Sequence, residues 1–241
     1  MVLYKSIFKR KGKKIAVLID PGKLSVNSLK KVVKASQSGN VDFFLAGGSI
    51  ISQNIDFTID VIRDNSDLPV VLFPGSIYQL SEKADAILLL SLISGRNPDF
   101  LIGNHVIAAP FLKKSSLEVI SSGYILIDGG NKTSVEYMSN TKPVPSDKSD
   151  IVTATAIAGE MLGLSSIYLE AGSGAKFPVK ENLISDVKRN TDIPLIVGGG
   201  IRDTETLERI CRAGADITVA GTVFENNVEL IRRFSDIVHG F

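Results

Sequence analysis

Eight short apolar runs, spread along the whole chain, limit the fold more than any other feature. They read KIAVLID (14–20), VDFFLAG (41–47), PVVLFPG (69–75), ADAILLL (84–90), GYILIDG (123–129), SIYLEAG (166–172), PLIVGGG (194–200) and DITVAGT (216–222). Most are nearly continuous rather than alternating, as parallel strands are when both faces are covered. Helical patterns lie between them. SVNSLKKVVKASQSG begins at a serine cap, sets Leu29, Val32 and Val33 on one face and stops at Gly39. VKENLISDVKRNT and DTETLERICRAGA repeat the spacing. Eight parallel strands joined by helical crossovers predict an α/β fold, the (β/α)8 TIM barrel. No linker or low-complexity block divides the sequence, so residues 1–241 read as a single domain.

One connection departs from the pattern. Between the third and fourth runs, FPGSIYQLSEKADAI leaves about ten residues, fewer than a parallel crossover with a full helix needs. The third helix is therefore expected to be missing or reduced to a turn. The segment after the fourth run, NPDFLIGNHVIAAPFLKKSS, is long and largely apolar. A gap in the helical ring beside such a segment predicts an apolar cleft, suited to a long hydrophobic ligand or a subunit interface.

The charge pattern narrows the partners. The formal net charge is +1 and the basic residues are scattered, apart from KRKGKK at 9–14, so nothing marks a nucleic-acid surface. That cluster reads as a solvated stretch ahead of the first strand. The lone Cys211 has no partner for a disulfide and reads as a small buried apolar residue. MVLYKSIFKRKGKK lacks the apolar core of a signal peptide, and AILLLSLI is far shorter than the roughly 20 residues that span a bilayer. The expectation is a soluble, cytoplasmic protein, with peripheral membrane contact left open.

In a barrel of this kind chemistry gathers at the C-terminal strand ends. Strands six, seven and eight end in glycines: Gly172-Ser173-Gly174, Gly198-Gly199-Gly200 and Gly221-Thr222. Three neighbouring turns without side chains allow backbone N–H groups to approach an anion, so one phosphate pocket is expected. The alternative is that these glycines only form tight turns. Strand one ends in Asp20 and strand two reaches Ser49; a carboxylate and a hydroxyl with open positions suit Mg²⁺. The competing reading has Asp20 capping its own loop or pairing with Lys23. Glu170 ends strand six beside the glycines, with Tyr168 on the same side of the strand. It reads as an acid that binds a hydroxyl and takes its proton, or else as a partner in a salt bridge. His105 and His239 lack ligand spacing and read as structural or surface residues.

Together, LIDPGK, LAGGS, YLEAGSGA, VGGGIR and AGTVFE resemble geranylgeranylglyceryl phosphate synthase and its bacterial relatives, which include heptaprenylglyceryl phosphate synthases. The resemblance runs from strand one to strand eight, and the short third connection matches it. GNHVIAA lies closer to the geranylgeranyl group. The resemblance implies transfer of a polyprenyl group from its diphosphate to sn-glycerol 1-phosphate in ether phospholipid synthesis. It implies Mg²⁺ at Asp20 and Ser49, where the family often has threonine and the hydroxyl is kept. It implies glycerol phosphate at Tyr168, Leu169, Glu170, Ala171, Gly172, Ser173, Gly174, Gly199, Gly200, Gly221 and Thr222, with Glu170 taking the proton and Lys23 near the diphosphate. Two other readings stand beside it. One is a phosphosugar isomerase or lyase using Asp20 with Asp128; the other is a non-catalytic barrel that binds a phosphate ligand. The apolar Phe100–Phe111 stretch favours a homo-oligomer.

Overall fold

The computed structural model describes residues 2–241. Its centre is a closed barrel of eight parallel strands in sequence order. The strands are β1 (Lys14–Ile19), β2 (Phe43–Ala46), β3 (Val70–Leu72), β4 (Ala86–Ser91), β5 (Glu118–Leu126), β6 (Ser166–Glu170), β7 (Leu195–Gly198) and β8 (Ile217–Ala220). Each falls on one of the eight apolar runs. The fifth begins earlier than its run, because Ser121 and Ser122 interrupt the apolar pattern. Those serines pair with Ser165 and Ser166 at 3.0 Å each, so their hydroxyls are satisfied inside the sheet.

The helices are α1 (Val26–Ser38), α2 (Ile55–Arg63), α3 (Asn104–Lys114), α4 (Ser134–Ser139), α5 (Ser149–Met161), α6 (Glu181–Asn190), α7 (Thr204–Ala213), α8 (Thr222–Asn226) and α9 (Leu230–His239). The expected serine cap is present, and a second helix has an aspartate cap of the same kind. Ser25 accepts from the Ser28 N–H at 3.2 Å to open α1, and Asp203 accepts from the Thr206 N–H at 2.7 Å to open α7. Between β3 and β4 there is no crossover helix, only a tight helical turn at Ile77–Gln79. The missing third helix is thus observed.

Alternation along the strands separates two cores. Outward residues such as Val17, Phe44, Leu169 and Val197 pack with the helices. Inward residues such as Phe43, Leu45, Leu88, Tyr124, Tyr168 and Ile196 fill the barrel. The N-terminal segment closes the barrel floor. A helical turn at Tyr4–Phe8 buries both aromatic rings there, held by the Leu3 and Tyr4 N–H groups donating to Glu118 at 2.7 and 2.9 Å. The basic stretch is therefore only partly solvated. Lys14 is buried with its ammonium on the Gly12 carbonyl at 2.7 Å, and Lys13 reaches the Ala215 carbonyl at 2.7 Å. Cys211 is buried, and burial pushes its thiol up to about 11. No helix among the described residues is long and apolar enough to cross a membrane.

Candidate active site

The C-terminal strand ends enclose a cavity of about 480 Å³. Its wall includes Asp20, Lys23, Ser49, Tyr168, Glu170, Ser173, Gly174, Gly199, Gly200, Gly221 and Thr222, so most residues singled out in the sequence face one space. Leu169, Ala171 and Gly172 do not line it. Leu169 and Ala171 point outward into the helix layer, and the Ala171 N–H is taken by the Gly198 carbonyl at 3.1 Å. Any part these residues take in binding falls to the course of their backbone.

Strand β6 delivers the acid. Glu170 pairs in register with Gly198 of β7, and Tyr168 projects on the same side. Glu170 is 6% exposed, and its Oε1 accepts the Gly172 N–H at 2.6 Å. Burial pushes the carboxyl up to about 7, against the pull of that N–H group and of the Tyr168 hydroxyl. It forms no salt bridge among the described residues, so the ion-pair alternative is not realised. The Tyr168 hydroxyl adjoins it, fully buried and outside strict hydrogen-bond geometry with any described residue, yet close enough to the carboxyl to favour its charged form. The two groups are thus neighbours on one wall, and Glu170 is the acceptor nearest to that hydroxyl. Burial and the Glu170 charge hold the Tyr168 and Tyr124 phenols protonated.

The glycines of β7 serve the acid as much as any anion. A side chain at Gly198 would put its Cβ 2.4 Å from the Tyr168 hydroxyl, and one at Gly199 would stand 2.3 Å from Glu170 Oε1. Gly174 differs: its φ is +74° and nothing lies within 4 Å of a Cβ there, so its backbone is open to the cavity. The N–H groups of Ser173, Gly174, Gly199, Gly200, Thr222 and Val223 donate to no backbone acceptor among the described residues. These donors, spread over three adjacent strand ends, have the chemistry to receive an anion.

Asp20 and Ser49 follow β1 and β2 and line the same mouth, with β1 directly beside β8. The Asp20 carboxyl lies against Gly48, whose added Cβ would be 3.0 Å from Oδ1. Lys23 pairs with Asp20 at 2.6 Å, as the competing reading had it. The two donors nonetheless fit Mg²⁺: both are hard oxygens facing the cavity, and one carboxylate with water and phosphate is its common shell. No group of three or more His, Cys, Asp or Glu ligands occurs among the described residues, so such an ion would draw most ligands from solvent and substrate. Glu225 was not singled out in the sequence. It stands half-buried in the same wall, raised by burial and near both Lys23 and Asp20. Asp128 is exposed and accepts the Gly130 N–H at 2.9 Å within its own turn, away from the cavity wall.

A second cavity of about 110 Å³ opens from the first where the crossover helix is missing. Phe73, Leu80, Ile87, Leu90, Phe100 and Ala108 line it, and Gly48, Ser49 and Tyr124 border both spaces. The apolar segment after β4 forms its wall through α3. His105 faces the groove, its Nε2 3.0 Å from Ser91 Oγ, and burial lowers its pKa. At the junction, the rings of Phe73, Tyr124 and Tyr168 form a cluster with centroids 5.4 to 6.2 Å apart.

Fold and mouth together define a class: a single (β/α)8 barrel with glycine turns on one side, a buried acid, and an apolar groove where one crossover is lost. Within that class the chain belongs to the PcrB family, whose model matches residues 7–239. It is 50% identical to geranylgeranylglyceryl phosphate synthase of Chitinophaga pinensis, over 98% of this chain and 96% of that protein. It is 42% identical to geranylgeranylglyceryl phosphate synthase of Methanothermobacter marburgensis, over 92% and 91% of the two chains. The crystal structure of (S)-3-O-geranylgeranylglyceryl phosphate synthase from Thermoplasma acidophilum, in complex with sn-glycerol-1-phosphate, superposes with a TM-score of 0.91 at 33% identity. That alignment covers 99% of this chain and 97% of the other. The family resemblance read from the motifs is borne out.

Proposed function

We propose that the chain transfers the geranylgeranyl group from its diphosphate to the free terminal hydroxyl of sn-glycerol 1-phosphate, forming an ether and releasing diphosphate. One observation carries this reading: the anion nest, the buried acid and the apolar groove meet in one mouth. The three parts match a substrate pair that is anionic, hydroxylated and greasy in turn.

The glycerol phosphate is held at its phosphate by the backbone donors of the β6, β7 and β8 turns. Its hydroxyl then lies toward Glu170, and the neighbouring Tyr168 hydroxyl offers it a further bond. In the step itself the C1–O bond to diphosphate breaks and the C1–O ether bond forms. Glu170 accepts the proton that the hydroxyl loses, and passes it to solvent. A carboxyl near 7 suits that task at neutral pH. Asp20 and Ser49 would hold Mg²⁺, which when bound would supply positive charge against the leaving diphosphate. Lys23, released from Asp20, adds a cation beside it. The Phe73, Tyr124 and Tyr168 rings offer π faces to the carbon that becomes positive. The tail lies along the groove, where each buried CH₂ contributes about 0.8 kcal/mol.

Outside the site, Ile102 in the turn before α3 and Val106 and Ile107 on α3 are more than half exposed, which supports association of copies of the chain there. Peripheral contact with a lipid surface is the rival use of that face, and sedimentation with and without vesicles separates the two.

The test is direct. Incubation with Mg²⁺, sn-glycerol 1-phosphate and geranylgeranyl diphosphate is expected to yield the ether phosphate and to stop in EDTA. Asp20→Asn is expected to lower turnover about a thousandfold with the fold intact. Product formed at the wild-type rate by that variant would refute the cation assignment.

A further inference from the structure

The turn that replaces the third crossover helix carries one fully committed polar side chain. Gln79 is 2% exposed. Its Oε1 accepts the N–H groups of Gly48 at 3.2 Å and Gly75 at 3.3 Å, and its Nε2 donates to the Gly48 carbonyl at 2.7 Å. One amide thus ties the β2 turn to the β3 turn. The turns are nested closely around it. A Cβ at Gly75 would stand 2.3 Å from the Gly48 carbonyl oxygen and 2.7 Å from Ser49 Cα. On its other side, Gly48 abuts the Asp20 carboxyl, with 3.0 Å to an added Cβ. Two apolar residues of the same turn face a different way: Ile77 and Leu80 line the apolar groove.

We propose that Gln79 is the positioning residue for the cation and diphosphate end of the site. It fixes Gly48 and Ser49 relative to Asp20, and through the same turn it joins that end to the groove that takes the tail. A buried amide serves here because both an acceptor and a donor are needed within one side chain, and neither leucine nor glutamate supplies both. The loss of the helix makes this possible, since a full crossover would place a helix N-terminus where the turn now stands. The proposal rests on the assignment of Asp20 and Ser49 to Mg²⁺.

The two substrates separate a positioning role from a general structural one, because the glycine turns of β6, β7 and β8 do not touch Gln79. Calorimetric binding of geranylgeranyl diphosphate with Mg²⁺, and separately of sn-glycerol 1-phosphate, is measured for wild type, Gln79→Leu, Gln79→Glu and Asp20→Asn, beside their melting curves. Gln79→Leu is expected to bind the prenyl diphosphate about tenfold more weakly and glycerol phosphate within about twofold of wild type. Gln79→Glu keeps the acceptor and loses the donor near neutral pH, so it is expected to be weakened similarly toward prenyl diphosphate and to keep glycerol phosphate binding. If Gln79→Leu fails to fold, this one-sided loss in Gln79→Glu at neutral pH is the deciding measurement. Equal weakening toward both substrates, or toward neither, overturns the proposal. If Asp20→Asn binds Mg²⁺ and prenyl diphosphate as wild type does, the cation assignment is what fails. If Asp20→Asn loses that binding while the Gln79 variants keep it, the Gln79 proposal alone fails.

Discussion

On the side of β6, β7 and β8, the barrel mouth is built from backbone. Its turns are rich in glycine, N–H groups on all three take no backbone acceptor among the described residues, and the buried acid beside them, Glu170, is held in place by the Gly172 amide. On the side of β3 and β4 the mouth is built from side chains, with aliphatic and aromatic residues filling the space of an absent helix. An anion is recognised by directed donors, which need close approach and fixed geometry. A hydrocarbon tail is recognised by area, which needs only room and dry walls. The contrast explains why a glycine is demanded on one side and a deleted helix on the other. It also implies that damage to each side should weaken a different substrate.

The largest expected effect lies at the acid between the two sides. Glu170→Gln keeps the shape and the acceptor for the Gly172 N–H but removes the base. Turnover should fall by about 10² to 10⁴. In wild type the rate should rise with pH up to about 7 and then level off, because the carboxyl must be ionised to take a proton. Stability runs the other way. The folded-state pKa is raised above the ordinary 4.5, so the stabilising contribution is fully present below 4.5 and is lost as pH rises through about 7. Glu170→Gln should therefore melt a few degrees higher than wild type at pH 8, and the gap should close toward pH 4.5. A variant that keeps a turnover within tenfold of wild type would remove Glu170 from its role, whatever its melting curve does.

A smaller and one-sided effect is expected in the groove. Ala108 lies on α3, is 5% exposed and lines the apolar cavity. Ala108→Phe fills that space from the helix side, far from the glycine turns. The KM for geranylgeranyl diphosphate should rise about tenfold, in the range that overpacking of about 1 to 3 kcal/mol gives. The KM for sn-glycerol 1-phosphate should stay within twofold. Shorter prenyl diphosphates should be affected less, since they leave the far groove empty. A matching rise in both constants would mean that the two halves are not separable.

How far the sequence reveals this arrangement depends on what each residue does there. An acid that ends an apolar run is conspicuous, so Asp20 and Glu170 stand out before any coordinates are known. The helix deletion is legible as a length too short for a crossover. Gln79 is not legible, because its three partners are backbone groups of two other turns and leave no spacing pattern. Glu225 sits in a one-turn helix after β8, where an acid looks like ordinary N-terminal decoration. Leu169 and Ala171 are the converse case. They belong to a contiguous motif, yet strand alternation turns them away from the cavity. The serines of β5 hide part of a strand because they satisfy each other instead of burying apolar surface.

The smallest effect sharpens the backbone side of the contrast. Alanine at Gly199 says little about anion binding, since its Cβ would collide with Glu170. Gly174 is the informative position, for there a Cβ meets nothing and the only penalties are conformational and local to the ligand. At a φ of +74° an alanine costs about 1 to 2 kcal/mol, some of it relieved if the turn shifts. Gly174→Ala should thus fold, and melt at most a few degrees lower. If the Gly174 N–H faces the phosphate, a shifted turn and an added methyl should raise the KM for sn-glycerol 1-phosphate about threefold to tenfold. The KM for geranylgeranyl diphosphate should be unchanged. An unaltered glycerol phosphate KM would confine the anion nest to the β7 and β8 turns and leave the β6 turn as a scaffold for Glu170 alone.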